Sequence, residues 1–276
     1  MKVGIIGLGL MGGSFALALK EQYNEVEIVG YDHNDQHCLE ALQLGLADKI
    51  SDDLEDFYAL DLVILAIPVN AIIQLLQEFD TVAEHTTIID FGGTKKPIVE
   101  AVPSRLRRNF VAGHPMTGTE YSGPQAALPG LYRGKVMVFC DIEESGEHQR
   151  KVAKTIFSDL GMKLFYMEAG EHDRHAAFIS HMPHALSYSL ANAVMKQENP
   201  RAIIALAGGG FRDMSRIAKS SPNMWIDIFR QNKENIIQAI ECFKGELEHC
   251  EKLVENEEWE ALYKWMEKAN RLHEIL

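Results

Sequence analysis

The first part of the chain alternates short apolar runs with amphipathic segments. The apolar runs predict buried strands at Val3–Ile6, Glu27–Tyr31, Leu62–Ile67 and Thr87–Asp90, and later at Val136–Phe139 and Lys163–Tyr166. The amphipathic segments predict helices at Met11–Lys20, Asp35–Leu44, Val69–Phe79, Pro97–Leu106 and Glu147–Asp159. Strands and helices that alternate in this way predict a parallel sheet with helices on both faces.

The pattern changes after about Glu168, where no further strand is predicted. His172–Met195 has a helical pattern, and Pro183 inside it predicts a kink or a break. A second long helix is predicted over Pro222–Val254, where apolar residues recur at three- and four-residue steps. A third is predicted over Trp259–Leu276.

We therefore expect two domains, an α/β domain over residues 1–167 and an all-α domain over residues 168–276. The helical domain has a wide apolar stripe, to which Trp225, Trp259 and Trp265 add bulk. Small helical domains with so much apolar surface often bury it against another copy. The sequence thus predicts a homodimer that forms through this domain.

Composition narrows the range of partners and compartments. The chain of 276 residues is 46% hydrophobic, as in ordinary globular proteins, and its net charge of −13 disfavours binding to nucleic acids. The four cysteines contain no CxxC pair and fit a reducing cytoplasm. The apolar start, Val3–Leu19, is interrupted by glycines and predicts a strand, a turn and a helix rather than a signal peptide. We expect a cytoplasmic protein that does not bind a membrane.

A glycine-rich turn follows the first predicted strand. Its sequence, Gly7-Leu8-Gly9-Leu10-Met11-Gly12, has the GxGxxG spacing of dinucleotide-binding sites. In that motif Gly7 makes the tight turn, Gly9 lets the backbone approach a pyrophosphate, and Gly12 lets the helix pack on the strand. The N-terminus of the predicted helix Met11–Lys20 offers free N–H groups to the phosphates, and Leu10 and Met11 are candidate cofactor residues there.

The second strand leads directly to Asp32. A carboxylate there accepts hydrogen bonds from ribose hydroxyls and repels a 2′-phosphate, and the next residues, His33 and Asn34, include no arginine. This favours NAD over NADP, although Asp32 could instead only cap the next helix. The strand that ends near Pro68 would reach the nicotinamide half of the crevice, or Pro68 simply ends a buried strand.

Two more glycine-rich segments follow later strands, Asp90–Lys96 and Ala112–Glu120. In the second, His114 stands between Gly113 and Pro115 and is the candidate general base or hydrogen-bond acceptor. In the first, Thr94 either hydrogen-bonds the reacting hydroxyl or orients the histidine, or it caps the helix that follows. Lys95 and Lys96 are predicted to lie on a solvated helix face.

The helical domain offers four histidines and two arginines as candidates, namely His172, His175, His181, His184, Arg212 and Arg216. No paired carboxylate completes a metal site among the histidines, so we expect no metal. Three glycines, Gly208–Gly210, predict a loop before the arginines. Arg212 and Arg216 are four residues apart and share a helix face, which suits recognition of a carboxylate or pairing with a surface acid.

These motifs resemble the prephenate and arogenate dehydrogenase family over nearly the whole chain. The matching segments are GLGLMGGS at Gly7–Ser14, DFGGTK at Asp90–Lys95, GHPMTGTEYSG at Gly113–Gly123, SHMPH at Ser180–His184 and GGGFRDMSRIA at Gly208–Ala218. The resemblance implies a Rossmann domain followed by a helical dimerisation domain. It also implies NAD-dependent oxidative decarboxylation of prephenate to 4-hydroxyphenylpyruvate, in tyrosine biosynthesis.

The resemblance also implies roles for single residues. His114 would accept a hydrogen bond from the ring hydroxyl and take up its proton, and Thr94 stands where the family commonly has serine. Arg216 would bind the ring carboxylate, His184 would lie near the substrate side chain, and Glu120 would help to gate the pocket.

Three other functions remain open at this stage. One is arogenate dehydrogenase activity. A second is a β-hydroxyacid dehydrogenase, which the absence of a Gly-x-x-Gly-x-Gly-x-x-x-Lys-x-x-Asn segment disfavours. The third is a non-catalytic NAD-binding redox sensor, for which His114 and Arg216 need not converge on one cavity.

Overall fold

The computed structural model describes residues 1–275, and its N-terminal half is built on one eight-stranded sheet. The strands are β1 Lys2–Ile6, β2 Glu27–Tyr31, β3 Lys49–Ile50, β4 Leu62–Leu65, β5 Thr87–Asp90, β6 Phe110–Pro115, β7 Val136–Cys140 and β8 Lys163–Met167. Their order in the sheet is β3-β2-β1-β4-β5-β6-β7-β8. The order reverses between β1 and β4, and crevices at such a reversal bind ligands beyond the carboxyl ends of the strands.

The sheet agrees with the prediction except at one junction and in two strands, β3 and β6, for which no bounds were predicted. All neighbouring strands are parallel except β6 and β7, which are antiparallel. A parallel partner would require a crossover connection, usually a helix, whereas only the short 3₁₀ turn Pro124–Ala126 lies between β6 and β7. The two-residue β3 was not predicted, because so short a strand leaves no periodic pattern.

Five helices cover the two faces of the sheet. They are α1 Leu10–Gln22, α2 Asp35–Gln43, α3 Val69–Glu78, α4 Lys96–Ala101 and α5 Glu147–Asp159. The prediction for α4 was too long, since it ran to Leu106. Val102 is extended, with φ −65° and ψ 118°, because the proline at position 103 disfavours a helical residue before it.

Apolar clusters on both faces of the sheet form the core of the N-terminal half. One face packs around Phe15, Phe139 and Phe157, and the other around Phe79 and Phe110, all fully buried. Such packing holds the carboxyl edge of the sheet rigidly, which is where the candidate residues lie.

The C-terminal half is helical throughout its described length, as predicted. Its helices are α6 Ala169–Ala176, α7 Met182–Met195, α8 Pro200–Ala205, α9 Gly209–Arg216, α10 Pro222–Gln231, α11 Lys233–Glu255 and α12 Trp259–Asn270. A π-helical turn, Ala177–His181, joins α6 to α7, and Pro183 lies in the first turn of α7. The proline therefore accompanies a widened turn rather than a break, because the start of a helix does not need its missing N–H.

Two predictions for the helical half were wrong in detail. The long helix over Pro222–Val254 is broken at Asn232, whose backbone has φ −116° and ψ 28°. The buried Asn232 side chain binds residues of the preceding helices, and this tertiary contact interrupts a helical pattern. Conversely, Gly209 and Gly210 lie in the first turn of α9 and not in a loop, and Gly208 is the N-cap.

No helix in residues 1–275 is long and apolar enough to cross a bilayer. The four cysteines are all free thiols: Cys38, Cys140, Cys242 and Cys250.

Candidate active site

Two glycines of the GxGxxG segment are required by the packing of β1 against α1. Gly7 has φ +98°, and a Cβ atom there would lie 2.3 Å from the carbonyl oxygen of Ala66. A Cβ atom at Gly12 would lie 1.9 Å from the carbonyl oxygen of Gly7. Only glycine fits these two positions, and the first contact brings the loop after β4 beside the loop after β1.

Gly9 has a different reason to be glycine. A Cβ atom there would meet no atom closer than 3.8 Å, so internal packing leaves open space in front of it. Gly9 is the N-cap of α1 and supplies no side-chain cap, which leaves the first N–H groups of the helix, those of Leu10 and Met11, for an outside acceptor. An open approach to free N–H groups fits a diphosphate.

Asp32 is held at the edge of this crevice by backbone donors. Its carboxylate accepts hydrogen bonds from the N–H of Leu8 at 2.9 Å and of Asn34 at 3.0 Å. Asp32 does not cap α2, because Asn34 does so by accepting from the N–H of Gln36. The carboxylate therefore lies at the end of β2 without serving as a helix cap. Pro68 is the N-cap of α3, beyond the end of β4.

His114 lies near the carboxyl end of strand β6 and not in a loop after that strand. Its Nδ1 is 2.8 Å from Nε2 of His172, and Nδ1 of His172 is 2.8 Å from the carboxylate of Asp173. That carboxylate also accepts from the backbone N–H groups of Lys95 at 2.7 Å and Lys96 at 3.0 Å. A continuous chain of hydrogen bonds thus crosses from the N-terminal half to the C-terminal half.

The direction of these bonds determines which nitrogen of His114 is basic. Asp173 can only accept, so Nδ1–H of His172 donates to it and Nε2 of His172 is left as an acceptor. His114 then donates through its own Nδ1–H, and its Nε2 keeps a free lone pair. Burial lowers the pKa of His114 well below its usual value, and His172, Lys95 and His181 shift it in the same direction. His114 is therefore a neutral imidazole at pH 7, which can accept a proton at Nε2.

The prediction that Lys95 lies on a solvated face was wrong. Its side chain is fully buried and donates to the carboxylate of Asp90 and to the carbonyl oxygen of Gly113, the latter at 2.5 Å. Lysine is almost never fully buried unless it is paired, so its residue type alone gave no signal of this position. Lys96 is exposed, as predicted.

Thr94 is also fully buried, and its hydroxyl has no hydrogen-bond partner among the described residues. It does not cap α4, since Lys95 occupies the N-cap position and no side chain caps that helix. Thr94 thus has a polar atom that no protein group satisfies.

The structure separates the four histidines of the helical half. His172 and His181 are buried, His184 is half-buried, and His175 is exposed. Nδ1 of His181 lies 3.0 Å from the Asn232 amide, and burial lowers the pKa of His181 to about 4. Within residues 1–275 no group of three or more His, Cys, Asp or Glu residues could hold a metal ion.

Of the candidate substrate residues, one stacks on an indole and two form an ion pair with each other. The imidazole of His184 stacks on Trp225 with ring centres 3.6 Å apart. Burial lowers the pKa of His184, and the positive charge of Arg216 shifts it in the same direction. Arg216, at the end of α9, pairs with Glu120 from the β6–β7 connection at 3.1 Å. Arg212 instead contacts the carbonyl oxygen of Ala207 at 3.2 Å.

Sequence reasoning missed four residues of this site, namely Lys95, Asp173, Trp225 and Asn232, and left His172 without a role. Asp173 directly follows His172, but adjacent residues do not normally face the same partner. Only the tertiary structure brings His172 and Asp173 of α6 to His114, and Asn232 at the end of α10 to Asp173.

Comparison with known families agrees with this arrangement. Residues 15–166 match the model of the prephenate dehydrogenase nucleotide-binding domain, and residues 168–268 match that of the prephenate dehydrogenase dimerization domain. The chain belongs to the prephenate dehydrogenase family. This assignment confirms the resemblance, the fold class and the identification of the protein as an oxidoreductase.

Individual relatives match over most of the chain. Prephenate dehydrogenase of Bacillus subtilis is 33% identical over 96% of this chain and 73% of its own length. The enzyme of Lactococcus lactis is 31% identical over 100% of this chain and 77% of its own. A crystal structure of the Aquifex aeolicus enzyme with hydroxyphenyl propionate and NAD+ has a TM-score of 0.92 at 34% identity, covering 100% of this chain and 98% of that one.

Proposed function

We propose that this protein oxidises prephenate with NAD and releases carbon dioxide and 4-hydroxyphenylpyruvate, a step in tyrosine biosynthesis. The observation that carries the proposal is the His114–His172–Asp173 chain, which presents a basic nitrogen beside a dinucleotide crevice in a member of the prephenate dehydrogenase family. The family uses NAD, and this chain's crevice fits that cofactor.

In the proposed reaction, Nε2 of His114 accepts a hydrogen bond from the ring hydroxyl and takes up its proton. When bound, NAD supplies the hydride acceptor for the hydrogen on the carbinol carbon. The bond to the ring carboxylate then breaks, its electron pair enters the ring, and carbon dioxide leaves an aromatic phenolate, which regains the proton from His114 to give the phenol. His172 and Asp173 hold the imidazole in the tautomer that can accept, and a positioned general base contributes about 10²–10⁴-fold.

Arg216 is the proposed partner of the ring carboxylate. The protein carries a net charge of −13, so a dianionic substrate requires a local cation. Arg216 pairs with Glu120 in this structure, and we infer that the substrate carboxylate displaces Glu120, which makes Glu120 a gate. A hydrogen bond to its own backbone N–H and the charge of Arg216 lower the pKa of Glu120, so it competes as an anion at neutral pH.

Other residues complete the proposed pocket. His184, stacked on Trp225, lies where the substrate side chain would pass. The hydroxyl of Thr94 lacks a protein partner, and we assign it to the reacting hydroxyl or to the orientation of His114.

The cofactor residues follow from the crevice. The segment Gly7, Gly9, Leu10, Met11 and Gly12 would hold the diphosphate through its open approach and free N–H groups. Asp32 would accept from the adenosine ribose. Pro68 would border the nicotinamide half.

Two features of the setting belong to the same proposal. The chain acts as a homodimer through the helical half, which matches a dimerization domain and exposes many large apolar side chains. The enzyme works in the cytoplasm, since its four cysteines are free thiols.

The decisive assay follows NADH formation with prephenate and with arogenate, each offered with NAD and with NADP. We expect prephenate with NAD to give the highest kcat/KM. A higher kcat/KM with arogenate would reassign the substrate, and no turnover with either would refute dehydrogenase activity.

His114→Asn tests the base. Asparagine cannot take up the hydroxyl proton, so kcat should fall by about 10²–10⁴-fold while the Kd for NAD stays the same. His175→Asn is the matched control, because His175 is exposed and should be replaceable at no cost. Equal turnover in His114→Asn would remove this residue as the base.

A further inference from the structure

Lys95 and Asp90 form a buried ion pair next to the proposed base. Both side chains have no solvent exposure, and the Nζ of Lys95 donates to the Asp90 carboxylate. Burying two charges is costly, and well-packed apolar side chains at such places are often as stable or more so. Stability alone is therefore a weak reason for this pair to be here.

The ion pair makes hydrogen bonds to both polar backbone groups of Gly113, its N–H and its carbonyl oxygen. Gly113 directly precedes His114. The ammonium of Lys95 donates to the carbonyl oxygen of Gly113 at 2.5 Å. The carboxylate of Asp90 accepts from the N–H of Gly113 at 3.2 Å and from the N–H of Gly92 at 2.9 Å. The peptide units on the two sides of Gly113 are thus each held at one polar group, and the carbonyl held by Lys95 belongs to the peptide that leads into His114.

These hydrogen bonds begin where the regular contacts between β5 and β6 stop. The register of β5 with β6 ends at Asp90 opposite Ala112, so Gly113 and His114 extend beyond their neighbour on that side. The buried pair replaces the missing strand contacts over this stretch.

Lys95 also supports the far side of the His114 ring. Its backbone N–H donates to the Asp173 carboxylate at 2.7 Å, and Asp173 holds His172, which in turn binds Nδ1 of His114. One residue therefore fixes the base through the peptide before it and through the imidazole chain.

We propose that the Lys95–Asp90 ion pair positions the imidazole of His114 for proton uptake, which makes Lys95 and Asp90 positioning residues of the reaction. The proposal rests on the proposed function in one respect, because it takes His114 as the base. The charge of Lys95 also acts on His114 electrostatically, and this effect keeps the imidazole neutral. The groups that face His114 are His172 and Asp173 on α6, His181 on the π-helical turn, and Lys95 itself with Asp90, and the Lys95 charge helps to lower the pKa of His114.

The test compares Lys95→Met, the double variant Asp90→Asn/Lys95→Met, and the control Lys96→Met in the wild-type background of the full chain. The single variant leaves a buried carboxylate without its partner and serves to measure folding, whereas the double variant removes both charges and keeps the shapes. Lys96 is the adjacent, exposed lysine. Thermal unfolding identifies the variants that are folded.

In the folded double variant we expect kcat to fall at least about tenfold, with the KM for prephenate and the Kd for NAD within twofold of the wild type. The acid limb of the kcat/KM profile should move to higher pH, because a cation no longer opposes protonation of His114. Lys96→Met should match the wild type in all of these measurements.

Histidine NMR without substrate separates this proposal from the proposed function. With ¹⁵N-labelled histidine and His114→Asn for assignment, the double variant should titrate His114 at a higher pH than the wild type. An unchanged His114 titration together with unchanged kcat would overturn the positioning role, even if the enzyme acts on prephenate. Inactivity of the wild type with prephenate would instead contradict the proposed function, whereas the NMR result would still be valid.

Discussion

The two halves of this protein differ in how completely they bury their apolar side chains. The N-terminal half has large apolar clusters on both faces of its sheet, with Phe15 and Phe110 fully buried. The C-terminal half has one small buried cluster, formed by Ala177, Ile236 and Ala239. Its helices expose large apolar side chains such as Leu206, which is 88% exposed.

This difference indicates which half buries its apolar side chains within a single chain. Single exposed apolar residues are normal, but a concentration of them marks a surface that another molecule covers. The N-terminal half buries its large apolar clusters within one chain. The helical half contributes His172, Asp173 and Arg216 to the candidate site and matches a dimerization domain.

Among the effects that test this difference between the halves, the largest is a loss of folding stability at low pH. Unfolded histidine takes up a proton near pH 6.5, whereas folded His181 does so only at about 4. Between these values the unfolded state binds more protons, so stability falls as pH falls, by about 3 kcal/mol in total for His181. Denaturant unfolding between pH 7 and pH 4 measures this loss.

The matched variant for the acid effect is His181→Gln, which has no proton to gain. Its stability should depend less steeply on pH than that of the wild type, whatever its stability at pH 7. Parallel curves for the two proteins would show that His181 does not titrate as its burial implies.

The next effect concerns the ion pair of Arg216 with Glu120, which joins the two halves at the proposed substrate site. Arg216→Ala removes the proposed carboxylate partner and should raise the KM for prephenate by roughly 10–100-fold, as expected for a hydrogen bond to a charged group. Arg212→Ala, on the same helix, is the control and should leave KM unchanged. If both variants behave alike, the carboxylate is bound elsewhere.

A pair of surface variants tests the comparison between the halves directly. Leu247 on α11 and Leu39 on α2 are exposed to similar extents, 58% and 55%. Leu247→Glu should weaken dimerisation by about 1.5–3 kcal/mol if the leucine is buried in the dimer, whereas Leu39→Glu should have no effect on it. Sedimentation equilibrium gives the dimer dissociation constants of the two variants. Equal values would contradict the proposed difference between the two halves.

The smallest effect is expected at Thr94. An unsatisfied buried hydroxyl costs about 1–3 kcal/mol, so Thr94→Val should leave folding stability unchanged or raise it. If the hydroxyl serves the reaction, kcat/KM for prephenate should nevertheless fall. Wild-type kinetics in a more stable variant would show that Thr94 has no part in catalysis.

The two halves also differed in how well the sequence predicted them. The strands β2 and β5 and the helix α5 have the bounds that periodicity predicted, because each is a short buried or amphipathic element with clear ends. In the helical half, Asn232 breaks a pattern that is periodic on both sides of it. Its buried side chain binds the carbonyl oxygen of Asp173, a long-range contact that local propensity does not contain.

The sequence by itself determined the alternation of strands and helices, the glycine crevice with Asp32, and the candidacy of His114 and Arg216, because spacing and residue chemistry are local properties. Only the tertiary structure decided that Lys95 is buried, that His172 and Asp173 orient the base, and that Glu120 pairs with Arg216. These contacts join residues that are distant in the chain, and their energies depend on burial, which a linear pattern does not specify.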